Sequence, residues 1–295
     1  MCDLDTPQEW ADHVNSNPVS RRHFMAISAG LSMSSLLAMF PAVANAADVK
    51  ENEVSIKTAD GTCDAYFVHP AQGASAAVIV WPDVLGLRPA FRAMGKRLAE
   101  NGYAVLVVNP YYRTNKSPVV AEGAQFSDQK VRDSVMPLLQ KFLGDVNGMQ
   151  SDAKAYVAWL DQQTAVDKKK KIGTTGYCMG GPPVLRTAGV SDRIGAGATF
   201  HGAALASADP NSPHLAIAKS KASFLIAIAD NDDKQDPKAK DTLKETFAKN
   251  GQKATVEVYT GNAHGWTVPD FPVYDKAGAE KAWTAMLTLF KASLV

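Results

Sequence analysis

The sequence predicts an α/β protein in which helices cover both faces of a mostly parallel central sheet. Two nearly unbroken apolar runs, residues 76–81 and 103–108, are typical of central parallel strands that are buried on both sides. Residues 88–101 lie between these runs, carry an amphipathic helical pattern and end at Gly102. This strand, helix, strand order indicates a layered α/β arrangement.

The other elements follow in chain order. The residue patterns predict strands at 63–68, 171–175, 222–229 and 255–259, and helices at 146–163 and 277–294. The polar stretch at residues 111–126, which contains Pro and Gly, is predicted to form part of the rim above the sheet. No internal repeat is evident.

Residues 176–181, Gly-Tyr-Cys-Met-Gly-Gly, predict a nucleophile elbow with cysteine as the nucleophile. Such a turn runs sharply from a strand into a helix, so the neighbours of Cys178 must be small. It also directs free backbone N–H groups towards the sulfur, which favours a thiolate and a developing oxyanion. A phosphate-binding loop is excluded because Pro182 and Pro183 follow the glycines, where that motif needs Lys and Ser or Thr.

A carboxylate is expected after a later strand, and residues 230–233, Asp-Asn-Asp-Asp, follow the apolar run 222–229. We favour Asp232 as the acid, while Asp230 and Asp233 remain alternatives. Acids in a solvated loop, or at the start of a helix, are the competing interpretation of this cluster.

His264 is the candidate base. It follows the strand at residues 255–259, it is flanked by small residues, and of the six histidines only this one lies after both the cysteine and the acids in a strand-to-loop context. The competing interpretation is a surface-loop histidine without a partner.

These motifs, together with residues 81–86, Trp-Pro-Asp-Val-Leu-Gly, resemble the dienelactone hydrolase family of α/β-hydrolases over the chain from about Glu53 to the C-terminus. The resemblance implies the α/β-hydrolase fold and a triad of Cys178, His264 and Asp232. It implies hydrolysis of a small-molecule ester or lactone, as in carboxymethylenebutenolidase, through a thioester and without metal or organic cofactor. It also implies that the acid at position 83 modulates the thiol. That acid is usually glutamate in the family and is Asp83 here.

In this fold the oxyanion hole is expected from the backbone N–H groups of Met179 and Val84. The family's dienelactone-cleaving members place an arginine shortly after the histidine, whereas this chain has Trp-Thr-Val-Pro-Asp at residues 266–270. Arg113 and Arg132 are therefore candidate substrate contacts. The alternative function on the same scaffold is a non-hydrolytic ligand-binding or thiol-redox protein.

The N-terminus predicts export. Arg21 and Arg22 form a twin-arginine pattern, residues 26–40 are uncharged and mildly apolar, and residues 44–46, Ala-Asn-Ala, form a cleavage site. We therefore expect a Tat-type signal at residues 1–46 and a single domain at residues 47–295, delivered by the Tat machinery to the bacterial periplasm. No membrane association is expected after signal removal. A retained membrane anchor is the less favoured alternative, because the apolar run is shorter than the about 20 residues that span a bilayer.

Composition limits the remaining options. The 31 basic and 30 acidic residues give a net charge of +1, which offers no basic field for nucleic acid. Of the three cysteines, Cys2 leaves with the signal and Cys63 lies in a predicted strand, where it should be buried. We therefore expect no disulfide with Cys178, and no zinc site.

Overall fold

The computed structural model describes residues 8, 10–12 and 31–295. Its centre is an eight-stranded sheet with the strand order β1-β2-β4-β3-β5-β6-β7-β8. The strands are β1 (Val49–Thr58), β2 (Gly61–Pro70), β3 (Ala77–Trp81), β4 (Ala104–Val108), β5 (Ile172–Tyr177), β6 (Ile194–Phe200), β7 (Ser223–Ala229) and β8 (Ala254–Tyr259). Strands β1 and β2 pair antiparallel at one edge, and β2 pairs antiparallel with β4. The six strands β3 to β8 are parallel to one another. The predicted mostly parallel sheet is confirmed.

Eight α-helices accompany this sheet within residues 31–295. They are α1 (Met33–Met39), α2 (Pro89–Glu100), α3 (Gln129–Gly144), α4 (Val146–Leu160), α5 (Gly181–Val190), α6 (Asp230–Gln235), α7 (Ala239–Lys249) and α8 (Lys276–Ser293). A 3₁₀ turn at Cys178–Gly180 joins β5 to α5, and a longer 3₁₀ segment covers Pro213–Lys219.

Helices cover both faces of the sheet. Gly173 and Gly176 are three residues apart in β5 and therefore face opposite sides. Gly173 faces Phe290 of α8, and Gly176 faces Val184 of α5. Helix α2 lies on the α8 side, where Arg97 donates to Glu280 at 2.9 Å. The two layers bury the whole of β3, β4 and β5.

Strands β1 and β6 and helix α3 are among the elements that were not predicted from the sequence. Strand β1 is an exposed edge strand with mostly polar residues, and β6 is built largely from Gly, Ala and Thr, so neither carries a strong apolar pattern. Helix α3 contains Pro137, which argues against a helix in sequence reasoning. The predicted helix over 88–101 is confirmed, with Arg88 and Asn101 as its caps.

The elbow at the end of β5 leaves no room for side chains on its glycines. A Cβ on Gly176 would collide with the carbonyl oxygen of Gly180, and a Cβ on Gly180 would collide with the carbonyl oxygen of Trp81. Cys178 between them has a φ of 53°, a left-handed conformation that is costly for a residue with a side chain. The following helix opens on Pro182 and Pro183, as predicted.

The N-terminal segment is described only in part. Helix α1 lies inside the predicted apolar run and packs beside α2, where Arg97 stacks on Phe40 at 4.8 Å. Arg21 and Arg22 lie outside the described residues. Within the described ranges, no helix combines the length and the apolar character needed to cross a membrane.

We predict that Gly176→Ala lowers the free energy of unfolding by at least ~2 kcal/mol, because the added methyl group collides with rigid backbone. Urea denaturation of the purified protein measures this change. Gly144→Ala is the matched control: an added Cβ there meets nothing within 4 Å, so stability should be unchanged or slightly higher. Equal stability of the two variants would contradict the steric account of the elbow.

Candidate active site

The structure brings the three predicted triad side chains together at the carboxyl edge of the parallel strands. Cys178 follows β5, Asp232 lies in α6 directly after β7, and His264 follows β8. His264 Nδ1 lies 2.8 and 2.9 Å from the two carboxylate oxygens of Asp232. The same imidazole forms a hydrogen bond with the Cys178 thiol. A single histidine therefore links the carboxylate to the sulfur.

The other two acids of the cluster have lysine partners. Asp230 pairs with Lys234 at 2.7 Å, and Asp233 pairs with Lys240 at 2.7 Å. All three acids lie in the first turn of α6, so part of the competing helix-start interpretation also applies. Only Asp232 is directed at the histidine.

Backbone contacts fix this arrangement. The N–H of His264 donates to Asn231 Oδ1 at 2.8 Å, and the N–H of Asp230 donates to the carbonyl oxygen of Asn262 at 2.9 Å. Helix α6 and the histidine loop are thus joined on both sides of the Asp232–His264 contact.

Electrostatics favour an imidazolium at position 264. Burial alone would lower the pKa of His264, but Asp232 and the Cys178 sulfur outweigh it and raise that pKa to about 9. Burial would likewise raise the pKa of Asp232, but His264 lowers it to about 2. Asp232 is therefore ionised at neutral pH. His264 is held as the imidazolium, and this positive charge stabilises a thiolate on Cys178.

A second buried histidine holds the backbone of the nucleophile. The Cys178 N–H donates to His201 Nδ1 at 3.1 Å, and the Cys178 carbonyl accepts the N–H of Ala203 at 3.1 Å. His201 Nε2 lies 3.0 Å from Thr267 Oγ1. Burial and the nearby His264 lower the pKa of His201 well below its usual value, which keeps Nδ1 free to accept. Sequence reasoning overlooked His201, although its place directly after β6 puts it on the same sheet edge.

The two residues predicted for the oxyanion hole both contact the Tyr111 hydroxyl. The Tyr111 hydroxyl donates to the Val84 carbonyl at 2.9 Å and lies 3.0 Å from Met179 Sδ. Val84 and Met179 are both buried. Tyr111 therefore joins the loop after β3 to the elbow, a role that its position in the predicted rim segment did not reveal.

Asp83 is fully buried and close enough to Cys178 for the sulfur to influence its pKa. Its two oxygens accept from Arg88 Nη1 at 2.6 Å and Nη2 at 3.0 Å, and Oδ1 also accepts the Leu85 N–H at 2.9 Å. Arg88 in turn donates to both oxygens of Asp270 at 2.7 Å. Burial raises the pKa of Asp83 to about 6, although Arg88 opposes the shift. Modulation of the thiol by Asp83 stays a prediction. The structure adds that the Arg88 guanidinium is bound to the same carboxylate.

The two arginines predicted as substrate contacts have other partners. Arg113 binds Asp60 and Asp152, each at 2.7 Å. Arg132 Nη1 donates to the carbonyl oxygens of Phe126 and Ser127 at 2.9 and 2.6 Å. Both side chains hold the rim segment in place, so their contact with substrate stays a prediction. Arg88, which sequence reasoning overlooked at the start of α2, is the arginine that the structure places beside the thiol region.

Two cavities flank this edge of the sheet. One of about 120 Å³ has Arg88, Asp270 and Gln125 in its wall, together with Leu31 and Leu36 of the N-terminal segment. The other, of about 180 Å³, is lined mainly by small and aliphatic side chains and touches Asp232. Cys178 itself is 0% exposed and His264 is 1% exposed. The thiol therefore lies beneath a closed rim.

Cys63 and Cys178 are both buried and form no disulfide with each other. Cys63 Sγ is hydrogen-bonded by the Tyr156 hydroxyl at 3.2 Å, and burial raises its pKa to about 12. Among the residues that the structure describes, no group of three or more His, Cys, Asp and Glu side chains is arranged to hold a metal ion.

The sheet order, the strained elbow and the segments after β7 and β8 that carry Asp232 and His264 define an α/β-hydrolase fold. A sequence model of the dienelactone hydrolase family matches residues 63–294, and the chain belongs to that family of hydrolases.

Relatives and solved structures agree with this assignment. A Methylorubrum extorquens protein, named provisionally as a carboxymethylenebutenolidase, is 25% identical over 283 residues, which is 92% of this chain and 93% of that protein. A provisionally named dienelactone hydrolase from Klebsiella pneumoniae superposes with a TM-score of 0.70 at 19% identity, covering 83% of this chain and 99% of that one. The dienelactone hydrolase from Anabaena variabilis gives 0.60 at 15% identity, covering 84% and 99%. At these identities the structural likeness shows the fold.

We predict that alkylation of Cys178 by iodoacetamide proceeds through a thiolate well below the ordinary thiol pKa of about 8.5. The raised pKa of His264 keeps imidazolium beside the sulfur at neutral pH, and this support is lost as the pH rises through about 9. His264→Asn should therefore move the midpoint of the rate against pH upward by at least about one unit. Mass spectrometry across pH 5–10 measures this midpoint.

Cys63→Ala is the control for that experiment, since the Cys63 thiol should not react in the folded protein. A midpoint that is the same with and without the imidazole would show that His264 does not ionise the thiol.

Proposed function

We propose that this protein hydrolyses carboxylic esters or lactones through a thioester on Cys178. The observation that carries the proposal is the position of His264. Its Nδ1 contacts the Asp232 carboxylate, and its imidazole ring also forms a hydrogen bond with the Cys178 thiol. The nucleophile also has the left-handed backbone that the elbow requires. The family membership supports a hydrolase, and the side-chain geometry supports this particular mechanism.

In the first half-reaction the Cys178 sulfur attacks the carbonyl carbon of the ester. The thiol proton already lies on His264 in this thiolate–imidazolium pair, and Asp232 stabilises the imidazolium. Negative charge develops on the carbonyl oxygen, where the N–H groups of Met179 and Val84 are proposed to donate. Each such donor contributes on the order of 3 kcal/mol in the transition state. The C–O bond then breaks, and the alcohol leaves with the proton from His264.

In the second half-reaction a water molecule attacks the thioester carbon and gives its proton to His264. The C–S bond breaks, the carboxylic acid leaves, and the sulfur regains its proton or stays as the thiolate. A lactone follows the same steps, with the alcohol and the acid remaining in one molecule. His201 accepts the Cys178 N–H and keeps the backbone of the nucleophile in place during both half-reactions. It stays neutral and takes no part in the proton transfers.

A thiol-redox function is less well supported. Redox thiols of low pKa usually have a resolving cysteine nearby. Cys63 is hydrogen-bonded by Tyr156, and burial raises the pKa of the Cys63 thiol to about 12, which disfavours the thiolate that such a role needs.

We predict that Cys178→Ala abolishes hydrolysis of activated aryl esters and six-membered lactones, while Asp232→Asn lowers kcat by about 10²- to 10⁴-fold through loss of the imidazole orientation. The matched controls are Asp230→Asn and Asp233→Asn, which remove carboxylates bound to lysine and should keep activity within about threefold. Steady-state kinetics on the purified variants measures the effect. Unchanged turnover in Cys178→Ala would end the proposal.

We also propose that residues 1–46 are a Tat-type signal and that the mature protein works in the periplasm. The twin arginines, the uncharged run and the Ala-Asn-Ala sequence support this proposal. Replacing Arg21 and Arg22 together by Lys should leave the uncleaved chain in the cytoplasm, as measured by fractionation and immunoblotting. The control is Lys168→Arg, a surface change outside the signal. Normal export of the double variant would refute a Tat route.

A further inference from the structure

Trp10 is the one buried side chain among the described residues 8 and 10–12. It is 1% exposed, whereas Gln8, Ala11 and Asp12 are exposed. Its indole N–H donates to the carbonyl oxygen of His264 at 2.9 Å. One aromatic side chain therefore reaches from this stretch to the backbone of the candidate base, in the manner of an anchor residue at an interface.

The slot that holds the indole is built by two rim loops. Phe271, from the loop after β8, lies 4.6 Å from the indole between ring centroids, and Phe126, from the segment after β4, lies 6.2 Å away nearly edge-on. Gly265 completes the wall. A Cβ on that residue would lie 3.3 Å from Trp10 and 2.7 Å from Phe271. The slot accepts a flat ring and offers one carbonyl acceptor at its end.

This slot shares a wall with the charged cluster beside the thiol. Phe271 has the indole as one neighbour and Arg88 as another, whose guanidinium carbon lies 5.3 Å from its ring centroid. Arg88 binds Asp83, which is near the sulfur. A ring in the slot therefore lies next to the proposed reaction site, at the sheet edge where α/β folds bind ligands.

The same N-terminal segment covers the neighbouring part of the rim. Leu36 of α1 is 1% exposed, and Leu31 and Leu36 line the cavity that also contains Arg88 and Asp270. With the segment in place, Cys178 and His264 are buried. Two separate contacts of one segment thus close the same edge.

We propose that the Trp10 slot is a subsite for an aromatic group of the substrate, and that the N-terminal segment keeps it filled until the segment is removed. Because the indole is tethered, its effective concentration at the slot is of millimolar order or higher, and a free aromatic ligand competes poorly. Removal of the tether frees both the aromatic slot and the adjoining cavity. The proposal relies on the proposed function only for the identity of the thiol that becomes accessible.

The test uses the uncleaved full-length chain with Trp10→Ala. We expect iodoacetamide to alkylate Cys178 at least tenfold faster than in the unchanged chain, equivalent to about 1.4 kcal/mol. Free indole should bind the variant, slow this alkylation, and leave the unchanged chain unaffected. The ratio of kcat/KM for phenyl acetate to that for ethyl acetate should also rise at least tenfold.

Two further variants serve as controls. Gln8→Ala alters an exposed side chain of the same stretch, whose amide nitrogen donates to Asp12, and should behave as the unchanged chain does. Trp10→Phe keeps a ring in the slot but loses the N–H donor to His264, so it should fall between the unchanged chain and Trp10→Ala. Thermal melting of each variant shows whether it is folded, and Trp10→Phe carries the test if Trp10→Ala does not fold.

The outcomes separate the two proposals. One outcome is that folded Trp10→Ala, or Trp10→Phe in its place, is alkylated no faster than Gln8→Ala. That result refutes the proposal that Trp10 blocks access to Cys178, whatever the esterase activity. If alkylation accelerates and indole protects while no variant turns over any ester, the blocking role of Trp10 is supported and the hydrolytic function is refuted. If alkylation accelerates without protection by indole and without a change in aryl preference, the aromatic subsite is refuted.

Discussion

The tight backbone turn after β5 is the constraint on which the rest of the site depends. Side chains at Gly176 and Gly180 would collide with carbonyl groups, and Cys178 is held with a left-handed φ. This strain is balanced by contacts from the loop after β6, where His201 and Ala203 bind the N–H and the carbonyl of Cys178. The reactive sulfur is thereby fixed relative to the sheet, and every other group is positioned against it.

Buried charge is compensated within two separate clusters. Asp232 shares the His264 imidazole, and Arg88 satisfies both Asp83 and Asp270. Each buried charge thus faces an opposite one, as a low-dielectric site demands. In the proposed mechanism His264 exchanges protons with the sulfur, while Asp83 stays paired with a guanidinium that does not lose its proton.

The rim above these clusters comes from distant parts of the chain. Tyr111 joins the loop after β3 to the elbow, and Phe126 and Phe271 form a slot that the N-terminal Trp10 fills. A parallel sheet makes this convergence possible, because the carboxyl ends of its strands meet at one edge. The candidate triad is thus carried by the strand ends, while loops and the N-terminal segment cover it.

The sequence by itself determined the elbow, the parallel core and the candidate residues Cys178, Asp232 and His264, because these depend on local signals such as glycine spacing, apolar runs and strand-end position. It favoured Asp232 but left Asp230 and Asp233 open as alternatives, and the observed contact of Asp232 with His264 distinguishes the three acids. Only the tertiary structure revealed His201, Arg88 and Trp10 at the site. Their partners lie far away in the chain, as with the 254 residues that separate Trp10 from His264, and no local pattern encodes such a contact.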